Sequence, residues 1–229
     1  MIVPFMKPKD LAYPFSFRDR RLFVERDVFY LPNYLSNYEG FDPKLPLGHP
    51  RIFIEFCSGN GEWIIQKALE NPDIQFIAVE KLFLRVQKIY SKRENLGIKN
   101  LFLVSGDINL LLEHFLPDAT VDTLAVNFPD PWPKERHSKN RLFHKNFVAH
   151  IQRILKPQGE VFVVTDDTGF SEWVYEAMKG HFNLEKEDLK KPFPNYGSSF
   201  FQRLWESKGK DIFYHHYQKG SYVGCEFFK

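Results

Sequence analysis

Residues 51–70 read RIFIEFCSGNGEWIIQKALE. A strand-length apolar run, 51–56, ends in Cys57-Ser58-Gly59-Asn60-Gly61, and a helical pattern begins at Glu62 and continues to Glu70. Glycine allows the chain to turn sharply and to approach a ligand closely before the helix begins. A strand that feeds a helix through such a turn is the opening unit of a parallel α/β sheet.

The pattern repeats downstream. IQFIAVE (74–80) predicts a second strand and 82–97 a second helix with Gly97 at its C-terminus; LFLVSGD (101–107) is a third strand, followed by a helix to about Phe115. TLAVNF (123–128) is a fourth strand. Residues 142–159 predict a helix stopped by Pro157 and Gly159, EVFVVTD (160–166) a fifth strand, and 169–181 a further helix. DIFYHHYQ (211–218) and YVGCEFF (222–228) alternate in hydropathy and are expected to be antiparallel edge strands. The organisation is therefore one doubly wound, mostly parallel α/β domain over 51–229. An N-terminal arm, 1–50, precedes it, rich in Pro, Tyr, Phe and Asn and largely irregular, with a short helix expected near Phe17–Arg26.

With 229 residues, 43% hydrophobic and 26% charged, the chain can bury one large core. Cys57 and Cys225 lack metal-ligand spacing and are too few for a disulfide framework, so no metal is expected. No apolar run approaches the ~18 residues of a membrane helix, and the N-terminus lacks a signal-peptide pattern. A cytoplasmic location without a membrane partner is expected; monomer and homodimer both remain open. The net charge of +2 conceals an uneven distribution. Residues 130–156 hold seven Lys/Arg against two acids, and residues 189–219 hold six against two. Two basic segments on an otherwise acidic chain suggest a face for a polyanion; the alternative is two solvated helix faces.

In open α/β sheets ligands bind beyond the carboxyl ends of the strands. Here those ends carry Glu55, Glu80, Asp107, Asp130 and the Asp166-Asp167 pair. Glu80 follows Gly61 by nineteen residues, where an acid can hydrogen-bond both hydroxyls of a ribose. A dinucleotide fingerprint would place Gly or Ala three residues beyond Gly61, but position 64 is Ile64, and no Gly-Lys-Ser/Thr ending marks a P-loop. A negative rim repels polyphosphates and favours a cation. S-adenosylmethionine, a sulfonium without phosphate, is the cofactor that fits.

The fourth strand runs into NFPDPWPKERHSKNR, residues 127–141. Pro129 and Pro131 fix the backbone around Asp130 and would set the direction of its carboxylate. Trp132 would stack on a base or fill the corner, with corner packing favoured. Lys134, Arg136, His137, Lys139 and Arg141 would hold phosphates, with Lys190, Lys191, Arg203, Lys208 and Lys210 extending that surface. His215 and His216 alternate along a strand and are expected to be structural.

This string resembles the signature of the bacterial tRNA (guanine-N7)-methyltransferases, and the resemblance spans roughly residues 50–218. It implies a class I methyltransferase, Rossmann-like, with a seven-stranded sheet whose last strand is antiparallel, acting with S-adenosylmethionine on tRNA to give 7-methylguanosine. It implies that Glu55, Glu80 and Asp107 bind the cofactor; Gly59 and Gly61, in the turn that lets the backbone approach a ligand, are read from the residues as cofactor-binding too. Asp130 is implied as the active-site acid shared by the cofactor and guanine sites, Lys134 and Asp166 as substrate-binding positions. Arg136 and His137 fall within the matching string. The family's closing Thr-x-aromatic-Glu motif aligns with Ser199-Phe200-Phe201-Gln202. Two departures stand out: Cys57 occupies a position that is usually Gly, and Gln202 offers donors where a carboxylate only accepts. Other readings remain: an adenine- or cytosine-directed enzyme, a small-molecule methyltransferase, and a non-catalytic RNA-binding protein. The first is disfavoured because Asp130 separates prolines that such enzymes set together, the second by the basic segments, the third by the acidic strand ends.

Overall fold

A computed structural model describes residues 5–13, 21–32, 39–185 and 188–220. Nine strands form one sheet: β1 (Phe23–Glu25), β2 (Val28–Leu31), β3 (Ile52–Phe56), β4 (Gln75–Glu80), β5 (Leu101–Gly106), β6 (Val121–Asn127), β7 (Leu155–Thr165), β8 (Asn183–Leu184) and β9 (Phe213–Gln218). Their spatial order is β1-β2-β5-β4-β3-β6-β7-β9-β8. Six helices connect or flank them: α1 (Glu62–Glu70), α2 (Phe83–Leu96), α3 (Ile108–His114), α4 (Lys145–Ile154), α5 (Thr168–Met178) and α6 (Phe200–Glu206).

Side-chain alternation along the strands builds two cores. Ile52, Ile54 and Phe56 of β3 face Leu111, Phe147, Ile151 and Val174 from α3, α4 and α5. The opposite face, with Phe76 and Ala78 of β4, packs on Trp63, Ile64, Val86 and Ile89 from α1 and α2. Glu55 lies between Ile54 and Phe56 in sequence, so alternation sends it to the α1–α2 side.

The chain winds outward from β3 through β4 to β5, then returns to place β6 on the other side of β3. This reversal is the topological switch point, and a crevice opens above it.

Seven strands were expected and the described residues contain nine. Six of the strands read from the sequence are present, as β3, β4, β5, β6, β7 and β9, with β9 antiparallel to β7; β8 was not expected, and it completes the seven-strand order β5-β4-β3-β6-β7-β9-β8. The additional two come from the N-terminal arm. β1 and β2 form a tight hairpin through Arg26 and Asp27, both at positive φ, and β2 pairs in parallel with β5. The C-terminal part of the expected Phe17–Arg26 helix is therefore strand; residues 14–20 lie outside the described residues. Gly106 explains the close docking: a Cβ there would lie 2.6 Å from the Cβ and carbonyl oxygen of Leu31.

Two further boundaries differ from expectation. The helix expected over 142–159 begins only at Lys145, capped by His144, whose Nδ1 accepts the Phe147 N–H. It ends at Ile154, because Pro157 drives the preceding backbone out of the helical region, and β7 begins at Leu155. β9 is also not an edge: β8 lies outside it. The strand expected at 222–228 lies outside the described residues.

Candidate active site

A cleft of about 580 Å³ opens above the switch point. Its walls include Glu80 and Lys81 after β4, Asp107 after β5, Phe128, Pro129, Asp130 and Trp132 after β6, and Phe201 of α6. A small adjoining cavity lies against Glu55, Ser58, Asn127 and Ser199. Cys57, Phe128 and Phe201 line both.

The turn after β3 is left-handed three times, at Cys57 (φ 60), Gly59 (φ 56) and Gly61 (φ 75). Glycine does this without strain; a residue with a Cβ does not. Gly61 is also needed for space, since a Cβ would lie 2.6 Å from Ile89 Cγ1. Burial and nearby carboxylates push the Cys57 thiol well above its ordinary range.

The turn is held from β4. Glu80 Oε2 accepts the Gly59 N–H at 2.9 Å and Oε1 accepts the Leu82 N–H at 2.8 Å. A carboxylate has about four lone-pair sites, so roughly two remain, matching the two hydroxyls of a ribose. Asp107 has two duties: Oδ1 caps α3 by accepting the Asn109 N–H at 2.9 Å, and Oδ2 accepts from Lys81 Nζ at 3.0 Å.

Glu55 is 1% exposed. Asn127 Nδ2 donates to its Oε1 at 2.7 Å, while its Oε2 has no hydrogen-bond partner. Burial raises its carboxyl to about 7, against the lowering effect of the Asn127 hydrogen bond. A buried, half-satisfied carboxylate beside a small cavity calls for a cationic or donating ligand group. The ammonium of S-adenosylmethionine has that chemistry, and Glu80 suits its ribose. The residues present fit the cofactor.

Asp130 stands at the cleft wall between its prolines. Phe128 (φ 48) and Trp132 (φ 45) bracket it in the left-handed region. Trp132 does not fill the corner as expected. It is 36% exposed, lines the cleft and meets the His137 ring edge-on at 5.6 Å.

The rim is mixed in charge rather than negative. Lys81 pairs with Asp107, Arg85 lies 3.7 Å from Glu80, and Lys139 and Arg141 also line the cleft. Among the expected substrate residues, Lys134 and Arg136 are exposed beside the cleft, on and before a short 3-10 helix, Glu135–Asn140. Ser199 caps α6 through its hydroxyl, which accepts the Gln202 N–H at 3.1 Å, and it borders the small cavity. Gln202 faces away: its Nε2 donates to Glu206 Oε1 at 3.0 Å and to Tyr214 Oη at 3.1 Å. Asp166 accepts from Lys210 Nζ, whose ammonium rests 4.1 Å from the centre of the Trp205 ring. Neither Gln202 nor Asp166 lines the cleft.

Three of the six cations in the second basic segment pair with carboxylates. Lys190 pairs with Asp211, Arg203 with Glu62 and Lys210 with Asp166. Lys134, Arg136 and Lys139 have no such carboxylate partner among the described residues. His215 is buried between Ser171 Oγ (2.8 Å) and Tyr217 Oη (3.1 Å), and His216 meets Glu160, both structural as expected. Sequence reasoning missed Asn127 as the partner of Glu55 and Tyr196 as the partner of Asn127. The only available signal was a polar residue ending an apolar strand.

The seven-strand order, the glycine turn and the acidic strand ends define a class I methyltransferase. A family profile described as "Putative methyltransferase" matches residues 49–215. The tRNA (guanine-N(7)-)-methyltransferase of Chlamydia abortus is 40% identical over 223 residues, 93% of this chain and 98% of its own length. That of Staphylococcus epidermidis is 35% identical over 60% of this chain and 67% of its own. In fold, the 16S rRNA methyltransferase KamB superimposes with a TM-score of 0.56 at 16% identity, covering 75% of this chain and 89% of its own. The chain belongs to the family of tRNA (guanine-N(7)-)-methyltransferases.

Proposed function

We propose that this chain transfers the methyl group of S-adenosylmethionine to N7 of a guanosine in tRNA, in the variable loop, within the cytoplasm. The observation that carries this reading is the placement of Asp130. One carboxylate lines the cleft between two fixed prolines, immediately before a loop whose cations Lys134, Arg136 and Lys139 have no carboxylate partner among the described residues. Membership of the family and the match to the Chlamydia abortus enzyme support it.

Bound there, the cofactor supplies an electrophilic methyl on a sulfonium. Guanine N7 presents a lone pair and no proton, so this chain needs no general base. Its task is to align donor and acceptor, which accounts for much of the rate. Methylation leaves the guanine cationic, and a preorganised carboxylate beside the ring stabilises that charge as it develops. Asp130 is the group in place to do so. Glu80 and Glu55 hold the cofactor's ribose and ammonium, and the exposed cations hold the RNA backbone.

The test is methyl transfer from labelled cofactor to bulk tRNA, followed by mapping of the modified base. Label at guanine N7 is the expected outcome; label on an exocyclic amine, or none on tRNA, refutes the reading.

A further inference from the structure

Arg141 lines the cleft, yet its guanidinium is turned onto the backbone of the corner rather than outward. Nε–H is shared between the carbonyls of Pro131 (3.2 Å) and Trp132 (3.1 Å), and an Nη2–H reaches that of Pro133 at 3.5 Å. The guanidinium lies 5.3 Å from the centre of the Trp173 ring, and the Trp173 indole N–H donates to Leu142 O at 2.8 Å. Helix α5 thus supports both Arg141 and the residue after it.

The corner needs such support. Pro129, Pro131 and Pro133 have no N–H, so the segment has few donors with which to hold itself. Phe128 and Trp132 both sit at positive φ, a strained state that persists only where the surroundings enforce it. Consecutive carbonyls can be collected by the planar, multi-donor guanidinium, whereas the ammonium of lysine is a point donor.

We infer that Arg141 is a positioning residue for Asp130: it pins the carbonyls after Asp130 so that the carboxylate keeps its direction in the cleft, and it does not act as a phosphate contact. This rests on the function proposed above, but part of its test does not.

The experiment compares wild type with Arg141→Lys in three measurements. Single-turnover methyl transfer at saturating tRNA should fall roughly 100-fold, the scale of a catalytic group displaced by about 1 Å. The tRNA dissociation constant and the slope of log K against log salt should not change. In the free protein, hydrogen exchange should rise at the amides of His137 and Arg141, which bond to Lys134 O and Ser138 O. Trp173→Leu, which removes the ring beneath the guanidinium, should give the same pattern. A rate within threefold of wild type overturns the inference, whether or not exchange rises. So does weakened tRNA binding with a salt slope reduced by about one, the sign of a lost phosphate contact. If wild type itself fails to methylate tRNA, the proposed function falls, while hydrogen exchange still decides whether Arg141 pins the corner.

Discussion

Asn127 lies between Glu55 and Tyr196: its Nδ2 donates to Glu55 Oε1 at 2.7 Å, and its Oδ1 accepts the Tyr196 hydroxyl at 3.2 Å. Because a carboxylate only accepts, the amino end of the amide must face Glu55, which leaves the carbonyl end to accept from the hydroxyl. Trp63 Nε1 in turn donates to Tyr196 O at 2.7 Å. The last strand-end polar residue before the PDP corner therefore fixes one oxygen of Glu55 and leaves the other for a ligand.

Glu55 makes ligand binding and stability depend on pH in opposite directions. Its folded carboxyl sits near 7, above its ordinary 4.5. A raised carboxyl favours the folded state below about 4.5, and that benefit is lost as pH rises through 7. Glu55→Gln should therefore stabilise the ligand-free protein at pH 8, by roughly 3 kcal/mol at most, with the gain vanishing near pH 4.5. Thermal melts across this window check it. A cationic ligand requires the ionised form, so wild-type S-adenosylmethionine affinity should increase between pH 6 and 8. Calorimetry in buffers of different ionisation enthalpy should show proton release near pH 6.5.

Asp130→Ala should lower the methyl-transfer rate by roughly 100-fold or more, the scale of a lost preorganised electrostatic group. S-adenosylmethionine binding should change less than tenfold, because Glu55 and Glu80 are untouched. Single-turnover rates and equilibrium titration separate the two effects; near-normal turnover sinks the assignment.

The two basic segments should behave differently toward tRNA. Lys134→Ala and Lys139→Ala should each weaken binding and reduce the salt slope by about one. Lys190→Ala removes a cation already paired with Asp211 and should leave affinity within about twofold. Filter binding at several salt concentrations gives both quantities.

Cys57 holds a left-handed backbone with a side chain that disfavours it. Cys57→Gly should remove a strain of about 1 kcal/mol, offset in part by lost packing, so the protein should be at least as stable in urea. Cys57→Val, β-branched at positive φ, should be destabilised by more than about 2 kcal/mol.

Much of the fold was legible in the sequence because buried parallel strands are continuous apolar runs and each helix follows its own turn. α1 was read to the residue, and Gly97 at the end of α2 has the left-handed conformation (φ 65) that its position implied. β1 and β2 were not legible: at three and four residues they carry too little periodicity, and their pairing with β5 is non-local. At the site, the residues after β3 to β6 could be placed because strand ends converge at the switch point. What Arg141, Asp166 and Gln202 touch could not be read. A cation near an acid in sequence carries no sign of whether it meets a phosphate, a carbonyl or a carboxylate across the fold. Arg141 was expected to hold phosphate and instead holds the chain's own carbonyls, and the acid at 166 is met by Lys210.

The strand pairing at the edge of the sheet also has a consequence in time. β2 is synthesised well before its hydrogen-bonding partner, β5, which begins seventy residues after β2 ends. At a synthesis rate of about 5–20 residues per second, the hairpin waits on the order of 4–14 s for its neighbour to emerge. During that interval Val28, Phe29, Tyr30 and Leu31, all buried in the finished protein, form an apolar run without their final cover. An uncovered apolar run of this kind is open to pairing with another chain until its sheet neighbour arrives. Completion of β5 ends that vulnerability, when Leu31 settles against Gly106.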